Sequence, residues 1–243
     1  MKDYFSTQSQ AYAAFRPTYP EELYQFIFQH VKIKNNAWDC ATGNGQVAVQ
    51  LAEHFNNVQA TDISQKQLDH AIKKDNISYS VCRAEKTEFK DHQFDLITVA
   101  QALHWFDRDM FYKEVRRVAK PGGILAVWGY SMLSIDPAID KVILEYYNHT
   151  VGPFWDSARR LVEDEYRSLE FPFEGISSPE FNIKVQWSLD QLAGYLSSWS
   201  ATQKFIVERG YDPLEPFIKG LQEVWNQEKK QVIFPVFSRI GRV

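Results

Sequence analysis

Cysteine is scarce: Cys40 and Cys82 are the whole complement. Two thiols so placed make neither a zinc-ligand spacing nor a disulfide framework. Both fall in expected strands, where a buried thiol behaves as a small, inert hydrophobe. Long apolar runs are missing too. No stretch approaches the roughly 20 residues that span a bilayer, and the opening MKDYFSTQSQAYAAF lacks the apolar block of a secretory leader. Positive charge is not concentrated: the net charge is -4. The pairs Arg116–Arg117 and Arg159–Arg160 are too short to track a phosphate backbone and read as solvated. His30, His54, His70, His92 and His149 show no metal-ligand spacing and are expected at the surface. These absences point to a cytoplasmic chain with no metal, no nucleic-acid partner and no membrane span; a monomer or homodimer is expected.

What is present is an ordinary globular composition of 243 residues, 44% hydrophobic and 24% charged. Aromatic residues make up 15%, with 7 Trp. They suit a core, and they also suit the walls of a pocket for flat or cationic ligands.

Strand and helix patterns alternate through the first half. Thr18-Tyr-Pro-Glu21 has the form of a capping box, with Pro20 just inside a helix reaching about His30. Ala37–Thr42, Val58–Asp62, Ile77–Cys82, Phe94–Val99 and Ile124–Trp128 read as strands. Phe94–Val99 is apolar on both faces, as in a covered parallel sheet. Helices are expected at Gln46–Phe55, where Val47, Leu51 and Phe55 share a stripe, after a Ser64 cap, and at Asp107–Ala119. Lys120-Pro-Gly-Gly123 is expected to turn. This alternation implies a parallel sheet with right-handed crossovers, a doubly wound α/β fold.

From about Ser131 to Pro179 the pattern loosens into aromatic-rich helices, read as a cap inserted after the fifth strand. Phe181–Trp187 alternates like a strand and Leu189–Ser197 like a helix. Val232–Arg242 reads as a last strand, with Pro235 at an edge or bulge. No repeat or linker interrupts the chain. A single domain is expected, with an N-terminal lid and helix (1–35), a ligand-binding core (36–130), the cap (131–180) and a sheet-completing end (181–243).

The chemistry concentrates in Asp39-Cys-Ala-Thr-Gly43-Asn-Gly45-Gln46, between the first strand and its helix. Gly43 and Gly45 permit a tight turn and close approach of a ligand to the backbone. The loop lies outside the carboxyl ends of the strands, where doubly wound sheets bind ligands. Alone it is ambiguous, because Gly43-x-Gly45-x-x-Ala48 with Asp62 also fits a dinucleotide fingerprint. Asp39 tips the balance: an acid here suits the ammonium of an amino-acid ligand, which a phosphate loop does not need. Asp62 can accept hydrogen bonds from both ribose hydroxyls, and Ala84-Glu85 places a polar group beside an adenine.

Asp39-x-Ala-x-Gly-x-Gly, Thr61-Asp62-Ile63-Ser64, Arg83-Ala84-Glu85, Phe94-Asp95-Leu96 and Ala119-Lys-Pro-Gly-Gly123 occur in order, and together resemble the class I S-adenosylmethionine-dependent methyltransferases. Arg16-Pro-Thr-Tyr-Pro20, Gln101-Ala-Leu-His-Trp-Phe-Asp107 and Tyr195-Leu-Ser-Ser-Trp-Ser200 resemble, more narrowly, the trans-aconitate methyltransferase-like proteins. The resemblance implies a Rossmann-like, mostly parallel seven-stranded sheet, the cofactor S-adenosyl-L-methionine and a small-molecule methyl acceptor. Asp39, Ala41, Thr42, Gly43 and Gly45 would surround the methionine moiety, Asp62 and Ile63 the ribose and one adenine face, and Ala84 and Glu85 the adenine edge. Ala100 and Gln101 would face the sulfonium, and Tyr12 and Arg16 would close over the cofactor. Ala41 stands where the family commonly has Gly; alanine should fit if φ is negative, with weaker binding at most.

His104 reads either as a donor or base at the acceptor's entrance, or as a helix-start residue bonded to a carbonyl. Trp105 reads as pocket wall or as core, and Arg16 as an acceptor contact or as an anchor of the N-terminus. A carboxylate acceptor needs no base, being ionised already, and Arg16 could orient it bidentately. A hydroxyl or amine acceptor would turn to His104. An NAD-dependent oxidoreductase is the competing reading, but the chain lacks a suitably placed Tyr-x-x-x-Lys. A cofactor-binding protein without turnover is the third.

Overall fold

The computed structural model describes residues 16–243. Five parallel strands run β1 (Asn36–Cys40), β2 (Asn57–Asp62), β3 (Ile77–Val81), β4 (Phe94–Ala100) and β5 (Ala119–Tyr130). Three antiparallel strands follow: β6 (Glu174–Ile176), β7 (Phe181–Trp187) and β8 (Lys230–Arg242). The spatial order is β3-β2-β1-β4-β5-β8-β6, with β7 also paired to β8. The sheet thus has eight strands, one more than expected. The addition is β6, too short to carry an alternating pattern inside a segment read as helical.

Period-two alternation assigns the sheet's two faces. Ala37, Ala60, Leu96, Ala126 and Trp128 point to one hydrophobic layer, shared with Leu23, Ile27, Val47 and Leu51. Trp38, Cys40, Ile97, Val99, Leu125 and Val127 point to the other, packed on Phe111 and Val115. Both layers belong to helices on either side, so the strands read as near-continuous apolar runs.

Local details depart from expectation in instructive ways. The Thr18–Glu21 capping box does not form: Pro20 is itself the cap residue, extended, before helix α1 (Glu21–Gln29). Ser64 does cap α3 (Gln65–Asp69), accepting from the Gln67 amide, and α2 occupies Gln46–Ala52. Asp107 caps α4 (Arg108–Val118) through the Met110 amide. Lys120–Gly123 lies within β5, as a bulge where pairing steps from Phe94–Ala119 to Leu96–Ile124. Pro235 sits in an interior strand, not at an edge. Its carbonyl accepts from Ser131 just beyond the last β5 pair, Tyr130–Val236, so the missing N–H interrupts little. Cys82 falls one residue past β3 and is half-buried, and His30 is also half-buried.

Two separate segments build the cap. The first holds α5 (Pro137–Glu145), a wide turn at Tyr146–Thr150 and α6 (Arg159–Glu163). The second holds α7 (Leu189–Ser197), at the expected helix, and adds α8 (Ser200–Arg209) and α9 (Leu214–Gln222) before β8. They meet through rings: Trp155 lies 5.5 Å from Trp199, Phe154 5.1 Å from Phe205 and Tyr146 4.5 Å from Phe217. No helix among the described residues is long and apolar enough to cross a membrane.

Candidate active site

The chain crosses from β1 to one side of the sheet and from β4 to the other, so a crevice opens between their carboxyl ends. The glycine loop leaves β1 there. Ala41, Gly43 and Gly45 all have positive φ, at 56°, 57° and 82°. The negative φ on which an easy fit of Ala41 depends is therefore not met, since the loop needs a left-handed residue where glycine would be unstrained. The two glycines differ in purpose. Among the described residues, a Cβ on Gly43 would meet only Gln67 Oε1, at 4.0 Å. A Cβ on Gly45 would collide with the Tyr79 ring, so Gly45 serves packing within the chain.

Asp39 lies beneath this loop, almost wholly buried at 1% exposure. Thr98 donates to its Oδ1 at 2.8 Å, and Thr42 donates to its Oδ2. Burial pushes its carboxyl up to about 6, against the downward pull of hydrogen bonds from Thr42, Thr98 and the Ala48 backbone. Asp39 therefore organises the loop from below.

Asp62 ends β2, half-buried. The Gly43 amide donates to its Oδ2 and the Ser64 amide to its Oδ1, each at 2.9 Å. One carboxylate thus ties the glycine loop to the β2 rim. Ile63 is half-buried beside it and Ala84 is buried beyond β3. Glu85 accepts from the Asp107 amide at 3.1 Å and pairs with Arg83 at 3.4 Å, which fixes the chain that closes this end of the rim.

At the end of β4, Ala100 is half-buried and Gln101 takes a φ of 56°. Gln101 is shared with a second cavity, about 600 Å³ with its open mouth included, between the rim and the cap. Arg16, His104, Trp105, Trp155, Arg159 and Tyr195 are among its lining residues. Trp105 is thus a wall. Arg16 both lines the cavity and anchors its segment, donating to the Tyr130 hydroxyl at 2.6 Å and to the Ser198 carbonyl at 3.4 Å. His104 Nδ1 lies 2.7 Å from the Tyr166 hydroxyl. Burial first, and the Arg159 charge second, push His104 down to about 3, so the ring is neutral at pH 7.

Arg159 is not the solvated surface charge that its basic pair suggests. Its guanidinium stacks over Trp155, 5.0 Å from the ring centre, and its Nε donates to the Tyr147 hydroxyl at 3.1 Å. Arg160 is the exposed member of the pair. Trp155, Tyr195 and Trp199 are further walls that the sequence did not single out, although Tyr195 and Trp199 fall in one of its resemblance motifs. Tyr12 lies outside the described residues.

The profile of a family described as a methyltransferase domain matches residues 38–127, from β1 into β5. A Dictyostelium discoideum protein with a provisional methyltransferase name is 35% identical across 99% of this chain and 95% of its own length. A ubiquinone/menaquinone biosynthesis C-methyltransferase of Rickettsia typhi is 29% identical across 68% of this chain and 71% of its own. Among solved structures, a provisionally named type II methyltransferase from Anaeromyxobacter dehalogenans superposes with a TM-score of 0.87. It is 35% identical and covers 94% of this chain and 98% of its own.

Proposed function

The chain belongs to the S-adenosylmethionine-dependent methyltransferases of class I, and from that premise we propose that it methylates a carboxylate oxygen of a small molecule held in the cap cavity. Its cofactor is S-adenosylmethionine, which when bound supplies a methyl group on a positively charged sulfur. The residues fit such a group: among the described residues nothing stands closer than 4.0 Å to where a Gly43 Cβ would be, and Asp62 presents a carboxylate at the adjoining rim. Ala41, Thr42 and Gly43 would then hold the amino-acid end over Asp39, with Gly45 supporting the bend. Asp62 would accept from the ribose, Ile63 and Ala84 would flank the adenine with Glu85 at its edge, and Ala100 and Gln101 would stand between cofactor and acceptor.

One observation carries the acceptor assignment. Among the described residues no carboxylate lies within ion-pair distance of Arg159, yet its guanidinium is stacked in an aromatic-walled cavity that opens onto Gln101. A planar guanidinium so placed matches a carboxylate in geometry and charge. Arg16 adds a second positive charge, and Asp156 is the acid in the same lining. Methyl transfer from sulfur requires alignment of nucleophile, methyl carbon and sulfur, and exclusion of water. Arg159 and Arg16 would orient the anion, and Trp105, Trp155, Tyr195 and Trp199 would shed water. A carboxylate is ionised at neutral pH, so no residue need remove a proton. The resemblance to trans-aconitate methyltransferase-like proteins supports the same acceptor class.

Incubation with methyl-labelled cofactor and a panel of small carboxylic acids, phenols and amines tests this reading. The expected product is a methyl ester that releases labelled methanol in alkali. Transfer confined to amines or phenols would overturn it.

A further inference from the structure

We propose that Tyr166 is a positioning residue that locks His104 with its proton on Nε2, making it a hydrogen-bond donor to the acceptor and restricting the site to acceptors already ionised at the reacting oxygen. The acceptor half of this statement rests on the carboxylate reading above; the assignment of the proton does not.

His104 sits in the short turn Leu103–Trp105. Tyr166 packs against it and is fully buried. A buried phenol hydrogen left without an acceptor is costly. Among the described residues the partner in place is His104 Nδ1, at 2.7 Å. A hydrogen donated to Nδ1 leaves the ring's proton on Nε2. No hydrogen bond to Nε2 is made within the described residues, and His104 lines the cap cavity.

The surroundings reinforce this polarity. The charged groups lining the cavity are Arg16, Asp156 and Arg159, and the charge felt by His104 is that of Arg159. No carboxylate among the described residues sits behind the ring to hold an imidazolium, as a proton-accepting histidine usually requires. Burial and Arg159 independently keep the ring neutral. A neutral imidazole presenting N–H to the cavity has no lone pair there with which to take a proton from a phenol, alcohol or ammonium.

Tyr166 is held for this task at a conformational cost. It and Glu165 have positive φ, at 58° and 55°, in a region that bulky residues avoid. The position is over-determined by tertiary contacts. The Tyr166 amide donates to Leu161 at 2.9 Å, Arg239 donates to the Tyr166 carbonyl at 2.7 Å, and the ring meets Phe237 edge-on at 5.1 Å. Strain kept in place by so many partners is typical of a residue whose side chain has a directed use.

The test is a long-range proton–nitrogen correlation spectrum of the full chain, nitrogen-15 labelled and saturated with S-adenosylhomocysteine, at pH 7. The His104 signals are assigned by their loss in His104→Asn. A bare Nδ1 and a protonated Nε2 are expected, with Tyr166→Phe drifting to a mixture of tautomers. Protonated Nδ1 or an imidazolium in the wild type would overturn the proposal, and an unchanged tautomer in Tyr166→Phe would remove Tyr166 from it. If Tyr166→Phe does not fold, the wild-type spectrum decides alone. In turnover, the substituted carboxamide keeps an N–H donor, so His104→Asn should raise acceptor KM severalfold and change kcat little. A hundredfold fall in kcat would mark a base. Finding the Nε2 proton while the acid panel shows no transfer would leave the donor standing and refute the carboxylate acceptor.

Discussion

Thr98 donates its hydroxyl to Asp39 Oδ1 at 2.8 Å across the seam between β1 and β4, where the two residues are register partners. This bond crosses the point at which the chain divides to the two sides of the sheet. It holds the acid under the glycine loop at a fixed distance from the end of β4.

Asp39 is raised from 3.8 to about 6, chiefly by burial. The folded state therefore binds this proton more tightly than the unfolded chain. Its contribution to stability is full below about pH 4 and is lost as pH rises through about 6. Calorimetry of wild type and Asp39→Asn from pH 4 to 7 should show a decline in the difference across that window. Parallel curves would refute it. A cationic ligand end nearby favours the carboxylate, so cofactor affinity should strengthen over the same interval.

Asp62 accepts from Gly43 and Ser64 and is assigned the ribose. Asp62→Ala should weaken S-adenosylhomocysteine binding by about 1.5–3 kcal/mol, the scale of hydrogen bonds to a charged group. Titration calorimetry reading an unchanged affinity would displace the ribose from this rim.

Gly43 and Gly45 should separate binding from folding. Gly45→Ala drives a methyl into Tyr79 and should lower the melting temperature markedly. Among the described residues, Gly43→Ala meets nothing closer than 4.0 Å. It should cost only the left-handed strain of about 1–2 kcal/mol while weakening cofactor binding disproportionately. Equal effects on both quantities would refute the distinction.

Ala41 has a φ of 56°, so Ala41→Gly should relieve strain. Part of that relief is offset by the freedom glycine gains in the unfolded chain. A net stabilisation of up to about 1 kcal/mol is expected by denaturant titration.

Arg159 should govern the acceptor and not the cofactor. Arg159→Gln removes the charge but leaves a polar side chain. It should raise acceptor KM by about 10–100-fold, the range of a lost charged hydrogen bond, with S-adenosylhomocysteine affinity unchanged. Loss of both affinities would argue that Arg159 holds the cap together instead.

The strand–helix alternation, the glycine bend and the acids at the ends of β1 and β2 were readable directly, because each is a pattern over a few consecutive residues governed by local backbone geometry. The cap cavity was not. His104 meets Tyr166 from 62 positions away and Arg16 meets Tyr130 from 114, and no periodicity links such residues. The same limit explains Arg159: a basic pair looks solvated until Trp155 is folded beneath it. It also explains Ala41, whose left-handed φ is imposed by a loop pinned from both sides, by Thr98 through Asp39 and by Asp62 through Gly43. Local sequence thus determined the sheet and the place of its crevice, while tertiary packing decided what the crevice faces. Side chains remote in the chain acquire shared chemistry only when the cap closes over them.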